Sequence, residues 1–413
     1  MVSIQPVRRA LVPVDSEAVY RLSSPNYDEF QGDREIWDML QERPDNVLRV
    51  TMAHCDAPRF EEIIDEGSAA ALDRSRENMR ALAASPLVRT RPDVLFLYEV
   101  VSPRRPDVRQ IGLGGMACTA EIRTDENPGG TIIRNEGIMP EKAAGRAQLL
   151  AATSADFGTV NCAVQDRSGR LLALLEQLAD AREPDFSTHD EAQNLHRVWL
   201  VDDAAQKQQL AEALAAEPAA YVADGNHRSA AAAQLGKEGF LAVFFPTSRL
   251  RLEPYNRLVK DVGVSAAEIL RQLEQQFTVE PLGALPSYRP EGIHDIGLYL
   301  EGDWHRLTPR PGSYDPDNAA ASIDPYIIQR HFLDAILGLS NPRDKRINYG
   351  GGNKDSVWLK AQVDAGRYQL AMSVAPVTMD QFVAVCEQNR FMPPKSTWFD
   401  PKIRSGLVVA LLD

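Results

Sequence analysis

The chain has 413 residues, enough to bury a sizeable core and to form two or three domains. Hydrophobic residues make up 44% of it and charged residues 25%, which is ordinary for a globular protein. The formal net charge of -13 argues against a nucleic-acid or membrane partner, because proteins that bind those partners usually carry a basic face.

The cysteines and the N-terminus predict an intracellular protein. Four cysteines lie far apart, without a C-x-x-C pair, and this spacing predicts buried free thiols: Cys55, Cys118, Cys162 and Cys386. The seven histidines show no transition-metal spacing. Residues 1–6 lack the apolar stretch of a signal peptide, and the longest apolar run, 241–245, is too short to cross a bilayer. We expect a soluble, cytoplasmic chain.

Residues 1–125 mix helix and strand patterns and form the first predicted part. Apolar spacing predicts a helix over 74–84 and a buried strand over 94–100. The Pro-rich segment 102–106 is typical of a hairpin turn, and it leads into a strand over 110–119.

Residues 126–260 form the second part, in which helices and strands alternate. Helices are expected at 141–152, 171–182, 204–216 and 228–235, and strands at 158–164, 196–201, 219–223 and 240–245. This alternation favours a layered α/β fold.

Residues 261–413 form the third part. The pattern predicts a helix over 266–277, strands near 297–307, a helix over 326–338 and a closing βαβ-like run. The expected fold class is therefore α/β, in the mixed α+β sense.

The run Asp224-Gly225-Asn226-His227-Arg228 carries the most chemical information. A strand is expected to end at Asp224, followed by a Gly-Asn turn and then at once by an alanine-rich helix. The free N–H groups of a helix N-terminus attract anions, and arginine grips phosphate through two donors. Asp224 can cap the helix or bind Mg²⁺. The alternative is a plain strand–turn–helix connection with a surface arginine.

This run resembles the Asp-Gly-His-His-Arg signature of a widespread family classed as a domain of unknown function. That family is similar in turn to the ParB/sulfiredoxin-like free-serine kinases, which phosphorylate L-serine with ADP or ATP. Further segments resemble the family in the same order along the chain: Ser24–Asp28, Asn135–Glu136, Glu141–Thr153, Leu195–Trp199, Pro254–Arg257 and Met392–Phe399.

The resemblance implies a small-molecule kinase with a central ParB/sulfiredoxin-like nucleotide-binding core. It would transfer phosphate from ATP or ADP to the hydroxyl of free serine or a similar acid, with Mg²⁺ as cofactor. The implied catalytic residues are Glu136 as base, Asp224, which would also hold Mg²⁺, and His227. The residues implied to bind phosphate are Gly225, Asn226, Arg228, Lys142 and Arg257. The possible substrate-binding residues are His196, Arg197, Lys395, Ser396 and Thr397.

The residues themselves leave other interpretations open. Glu136 can be a solvated loop glutamate, with Glu141 as its local competitor, and each implied basic residue can be structural. Asn135 and Asn226 stand where the family has histidine. The main alternative function is a non-catalytic nucleotide-binding or regulatory module of ParB-like type. The expected partners are a nucleotide and a small molecule, with no nucleic acid and no membrane, and the oligomeric state is open.

Overall fold

The computed structural model describes residues 1–352 and 354–412. The chain divides into two compact units. The large unit comprises Met1–Arg134, Ile138–Leu250 and Pro401–Asp413, and the small unit comprises Asn135–Gly137 and Arg251–Asp400. The three-part division at 125 and 260 stays a prediction.

The strands are numbered in chain order. They are β1 (Ile4–Gln5), β2 (Val7–Pro13), β3 (Val88–Val101), β4 (Arg109–Cys118), β5 (Ile132–Arg134), β6 (Ala155–Asp156), β7 (Val160–Val164), β8 (Phe186–His189), β9 (Leu195–Val201), β10 (Ala220–Asp224), β11 (Gly239–Pro246), β12 (Leu252–Glu253), β13 (Tyr255–Val259), β14 (Phe277–Gly283), β15 (Ile296–Leu300), β16 (Asp303–Pro309), β17 (Ile347–Gly351), β18 (Leu370–Val374), β19 (Trp398–Phe399) and β20 (Val409–Leu411).

The α-helices are numbered in the same way. They are α1 (Ser16–Leu22), α2 (Asp33–Glu42), α3 (Leu48–Thr51), α4 (Ala69–Ala83), α5 (Pro140–Thr153), α6 (Arg170–Asp180), α7 (Ala204–Ala215), α8 (Asn226–Gln234), α9 (Ala266–Leu273), α10 (Asp324–Ile328), α11 (Ser356–Asp364) and α12 (Met379–Glu387). Short 3₁₀ turns and one π-helical turn, Gln329–Asp334, complete the structure of the described residues.

The large unit is built on one mixed sheet of 12 strands. Its main path runs β5-β10-β7-β11-β4-β3-β2-β20-β6, with β1 beside β4, β9 beside β3 and β8 beside β9. The pairs β10–β5 and β11–β7 are parallel, and the other pairs are antiparallel. Strand β3 is long enough to pair with β2 through its first half and with both β4 and β9 through its second half.

The main core of the large unit lies on one face of this sheet. Alternate apolar residues of β4, β7, β10 and β11 pack there against the apolar sides of α6 and α7, as Leu175 and Leu214 do. Helix α7 begins at a defined cap, because the Asp203 carboxylate accepts a hydrogen bond from Gln206 N at 2.8 Å.

The small unit contains a sheet of six strands in the order β14-β16-β15-β18-β13-β17 and a two-stranded pair, β12–β19. A second core fills the face where α9, α10 and the π-helical turn meet this sheet, around Leu298 and Phe332. Together the two units give a mixed α+β protein, as the sequence predicts.

Most predicted elements are confirmed with small shifts at their ends, but the helix predicted over 326–338 is the short α10 followed by the π-helical turn Gln329–Asp334. The helix predicted over 74–84 begins earlier as α4, because the Ser68 hydroxyl caps it by accepting from Ala71 N. The predicted hairpin is present as antiparallel β3–β4. Strand β20 is not among the predicted elements. Within the described part of the chain, no helix combines the length and apolar character needed to cross a membrane.

Candidate anion-binding site

The Asp224 turn is a tight strand-to-helix connection. Strand β10 ends at Asp224, and Gly225 takes a left-handed backbone conformation with φ of 104° just before α8 begins at Asn226. An added Cβ at Gly225 would lie 3.1 Å from Nε of Arg228 and 3.2 Å from Cγ2 of Val160. The backbone angle therefore favours glycine, and a Cβ would in addition make tight contacts with both neighbours.

The Asp224 carboxylate is paired with two cations. Its Oδ1 lies 3.2 Å from Nη2 of Arg228, and its Oδ2 lies 2.8 Å from Nζ of Lys402. All three side chains are largely buried: Arg228 is 7% exposed, Asp224 14% and Lys402 16%. Two cations, Arg228 and Lys402, therefore flank the Asp224 carboxylate in a largely buried cluster.

Arg228 also connects this cluster to the surrounding loops. Its Nη1 donates to the Thr159 carbonyl and to Oδ1 of Asn26, which lies 3.4 Å away. The guanidinium therefore holds the turn in place in addition to its charge. The prediction that Arg228 binds phosphate directly stays a prediction.

Asp156 is a second acid beside Arg228. Its Oδ2 accepts from Leu241 N at 2.9 Å and its Oδ1 from Gly158 N at 3.0 Å. Burial raises the pKa of Asp156, against the opposite effects of these hydrogen bonds and of Arg228.

Asn161 lies on the same side of the sheet as Asp224. The two residues are direct partners in the antiparallel β10–β7 pair, after a register shift between Val222 and Asp224. Asn161 is 2% exposed, and its Oδ1 has no hydrogen-bond partner among the described residues. A buried amide oxygen without a partner is costly, so this side of the turn has unused hydrogen-bonding capacity.

A small cavity of about 60 Å³ lies beside Arg228, lined among others by Asn26, Asp156, Arg146 and Ser405. The cavity is open to solvent and can hold water that serves these polar groups.

His227 and Lys142 lie at the start of α8 and α5 respectively. Nε2 of His227 accepts a hydrogen bond from Met139 N at 3.1 Å, which requires a neutral imidazole with its proton on Nδ1. Lys142 is exposed on the first turn of α5.

Arg146, one turn after Lys142, lies 3.3 Å from a Glu66 oxygen and 3.5 Å above the ring of Tyr27. The structure thus brings α5 and α8 together at their N-termini.

His196 and Arg197 are consecutive residues of β9, so their side chains point to opposite faces of the strand. His196 is 1% exposed, with its Nδ1 2.7 Å from the Tyr98 hydroxyl and its Nε2 3.2 Å from Oδ2 of Asp190. Burial lowers its pKa, against the effect of Asp190. Arg197 donates to the fully buried Glu99 at 2.6 Å. Both residues have structural partners, and their role in substrate binding stays a prediction.

The remaining predicted residues lie in the small unit. Arg257 is 2% exposed and donates to the Tyr255 carbonyl, and burial lowers its pKa. Lys395 has a left-handed φ of 61°, and its Nζ lies 3.4 Å from the Tyr255 hydroxyl. Ser396 and Thr397 follow in the same loop, where both are buried. Four predicted residues therefore belong to two segments that meet at Tyr255.

Glu136 is half-buried in the loop between β5 and α5. Its neighbour Asn135 is 1% exposed, and the carbonyl of Asn135 accepts from Met392 N at 2.9 Å. This backbone bond fixes the loop within the small unit. The catalytic role of Glu136 stays a prediction.

One family model matches most of the chain. The family described as "Protein of unknown function (DUF1015)" matches residues 4–334. The chain belongs to this family. No curated protein matches it.

Several solved structures are similar at low identity. They include a free serine kinase in complex with AMP, at 10% identity over 67% of this chain and 89% of that one, with a TM-score of 0.38. SbnI with a C-terminal truncation, from Staphylococcus aureus, has 10% identity over 72% of this chain and 87% of that one, with a TM-score of 0.39. A conserved hypothetical protein from Pyrococcus furiosus has 11% identity, coverages of 68% and 92%, and a TM-score of 0.37.

The DUF1015 match contains the Asp224 turn and Glu136, but it ends before Lys402. Lys402, Asn161 and Asp156 are site residues that sequence reasoning missed. One sequence feature could have pointed to Lys402: it lies three residues after the segment Met392–Phe399, which resembles the family. Asn161 could have been found because it is a polar residue inside the apolar run of β7, where a buried polar side chain indicates a specific role.

The ion pairs of Asp224 oppose the predicted Mg²⁺ site of this DUF1015 chain. Mg²⁺ takes oxygen ligands, and both carboxylate oxygens of Asp224 bond to protein cations. The described arrangement does not fit Mg²⁺ at Asp224, and we derive no step through that ion.

Proposed function

We propose that this chain is a small-molecule kinase that transfers phosphate from ATP or ADP to the hydroxyl of free serine or a similar acid. The observation that carries the proposal is the Asp224 turn, in which a left-handed glycine opens α8 beside the side chains of Arg228 and Lys402. The sequence resemblance to free-serine kinases supplies the reaction class.

The phosphates of the nucleotide would bind at the N-terminus of α8. The first N–H groups of a helix lack partners within the helix, and the helix dipole adds partial positive charge there. Gly225 and Asn226 would present backbone N–H groups, while Lys402 and Arg228 would supply the positive field. The unpartnered Oδ1 of Asn161 suits a donor such as a ribose or acceptor hydroxyl.

Glu136 would be the general base. Its carboxylate would accept the proton of the acceptor hydroxyl while that oxygen bonds to the terminal phosphorus. The bond from phosphorus to the bridging oxygen would break, leaving AMP from ADP or ADP from ATP. Phosphoryl transfer depends mainly on positioning and charge, so a carboxylate of ordinary basicity is adequate for this role.

A non-catalytic nucleotide-binding or regulatory module is the second candidate. Two features favour it: Asn135 and Asn226 replace histidines of the family signature, and Arg228 is engaged by the Asp224 carboxylate and the Thr159 carbonyl. Such a protein would bind the nucleotide at the same turn without turnover.

The first experiment combines thermal shift with product analysis. Purified chain is melted with ATP or ADP, with and without Mg²⁺ and L-serine, since a ligand of the folded state raises the melting temperature. The same mixtures are analysed for phosphoserine by mass spectrometry. The kinase predicts a nucleotide-dependent shift and phosphoserine. A shift without product supports the non-catalytic module, and the absence of any shift contradicts both functions.

Glu136→Gln tests the base, with Glu141→Gln as the matched control. Glu141 is an exposed glutamate on the first turn of α5. Both variants replace a glutamate by glutamine, so they remove the same charge and leave the side-chain size unchanged. We expect Glu136→Gln to lower turnover by at least about a hundredfold, the usual contribution of a general base, while the nucleotide shift is retained. Equal loss in both variants, or loss only in Glu141→Gln, contradicts the role of Glu136.

A further inference from the structure

Three side chains of different chemical types, none of them assigned to the proposed kinase site, meet in the large unit. Asp33 is the first residue of α2, and His54 and Cys55 end the 3₁₀ turn Ala53–Cys55. One ligand atom from each of the three lies within 4.8 Å of the other two. A carboxylate oxygen, an imidazole nitrogen and a thiol sulfur together are a typical donor set for zinc.

The backbone under these residues is held by neighbouring side chains. Nη1 of Arg74 donates to the Asp56 carbonyl at 2.8 Å and to the Ala53 carbonyl at 3.4 Å. Nε1 of Trp37, on α2, donates to the Ala57 carbonyl at 2.9 Å. Helix α2 and the 3₁₀ turn are therefore fixed against each other, and this fixes the spacing of the three ligands.

The separation of the first two ligand atoms suits a tetrahedral metal. Nε2 of His54 lies 3.3 Å from Oδ1 of Asp33. Two ligand atoms about 2.1 Å from a tetrahedral zinc ion lie about 3.4 Å apart, from the usual bond lengths and angle. The sulfur of Cys55 lies within 4.8 Å of both atoms and is the third candidate ligand.

An ion can reach the three residues from the side of Asp33, which is the exposed member of the cluster. His54 is 3% exposed and Cys55 is fully buried, whereas the Asp33 side chain is 53% exposed. The carboxylates of Asp33 and Glu66 are both near enough to the Cys55 thiol to interact with it electrostatically. The same two carboxylates attract a cation, and a bound cation favours the thiolate.

We propose that Asp33, His54 and Cys55 bind a divalent transition-metal ion, with zinc as the fitting metal. The ion would bond to Asp33 oxygen, His54 Nε2 and Cys55 sulfur, and the thiol proton would be released to solvent. The fourth position lies on the exposed side of Asp33, where water or an exogenous ligand can bind. Histidine spacing alone misses this site, because Asp33 is 21 residues from His54 in the chain.

Cobalt titration tests the site, because Co²⁺ replaces zinc and reports its ligands by colour. The full chain is treated with a chelator, dialysed and titrated with Co²⁺. We expect one equivalent to produce sulfur-to-cobalt charge-transfer absorption and the intense visible bands of tetrahedral cobalt, and zinc to abolish both. Zinc should also raise the melting temperature of the chelator-treated chain.

The variants separate this site from other thiols. Cys55→Ser should remove the charge-transfer band, whereas the matched control Cys118→Ser, which changes a half-buried thiol of the same unit, should retain it. Asp33→Asn, at an exposed side chain that leaves the fold intact, should weaken Co²⁺ binding by at least about a hundredfold, since loss of an outer-shell partner alone costs up to that much. Absence of a charge-transfer band in the parent chain, its persistence in Cys55→Ser, or unchanged affinity in Asp33→Asn overturns the proposal.

Discussion

At the scale of single residues, the Asp224 turn depends on how charge is distributed over a few buried groups. One carboxylate faces two cations, and the other nearby acid, Asp156, is buried in a way that raises its pKa. The sequence predicts the glycine, the arginine and the anion-favouring helix start, because these follow from local chain order. It does not predict Lys402, since that residue reaches Asp224 from 178 positions away.

Gly225→Ala tests the backbone of the turn. Alanine at φ of 104° is strained, and its Cβ would press on Arg228 and Val160. We expect a loss of about 1–3 kcal/mol in the free energy of unfolding, measured by urea denaturation, with a weaker nucleotide-induced thermal shift. The control is Gly145→Ala, in open space on α5, where alanine should stabilise the helix by up to about 1 kcal/mol. Equal stability of the two variants would contradict the need for a left-handed glycine.

At the scale of elements, local patterns predict what forms but not what pairs. The helices α4 to α8 and the strands β7, β9, β10 and β11 follow from apolar spacing and capping residues within a few positions, whereas the short strand β8 does not. Strands β6 and β20 are too short to give a pattern, and they exist because Ala155 and Asp156 pair with Leu411 and Ala410. Such pairing is a long-range property that a sequence window does not contain.

The loop between β8 and β9 carries a pH-dependent contact. Glu191 accepts from Nη1 of Arg404 at 2.7 Å and also from Arg43. Burial opposes ionisation of Glu191, but the hydrogen bonds and charge of Arg404, together with Arg43, prevail and lower its pKa to about 2. Since the folded pKa is depressed, this contact stabilises the protein fully above the ordinary pKa of 4.5, and the stabilisation is lost as the pH falls toward 2.

Glu191→Gln should therefore lower the urea midpoint at pH 7 and at pH 5. The difference from the parent chain should shrink progressively as the pH is lowered from 4.5 toward 2. Glu183→Gln, an exposed glutamate earlier in the same region, is the control and should match the parent at each pH. A difference for Glu191→Gln that is constant with pH would show that the carboxylate charge contributes nothing.

At the scale of the whole molecule, the two units are not continuous in sequence. The large unit is completed by residues 401–413, after the chain has formed the small unit. Composition and periodicity place the fold in the mixed α+β class, but they treat the chain as consecutive parts. They contain no signal for a C-terminal segment that supplies a strand to the first sheet.

Truncation after Asp400 tests this topology. It removes β20, which pairs with β2 and β6, the Lys402 partner of Asp224, and four apolar side chains that are at most 5% exposed: Ile403, Leu407, Val408 and Val409. Each such side chain contributes roughly 1.5–3 kcal/mol by burial, so the loss is comparable to the roughly 5–15 kcal/mol stability of a typical protein. We expect the large unit to lose cooperative thermal unfolding and to become sensitive to limited proteolysis. A chain ending at Leu411 keeps β20 and should melt close to the parent. If the chain ending at Asp400 melts at the same temperature as that control, the C-terminal segment is peripheral, and the large unit is complete without it.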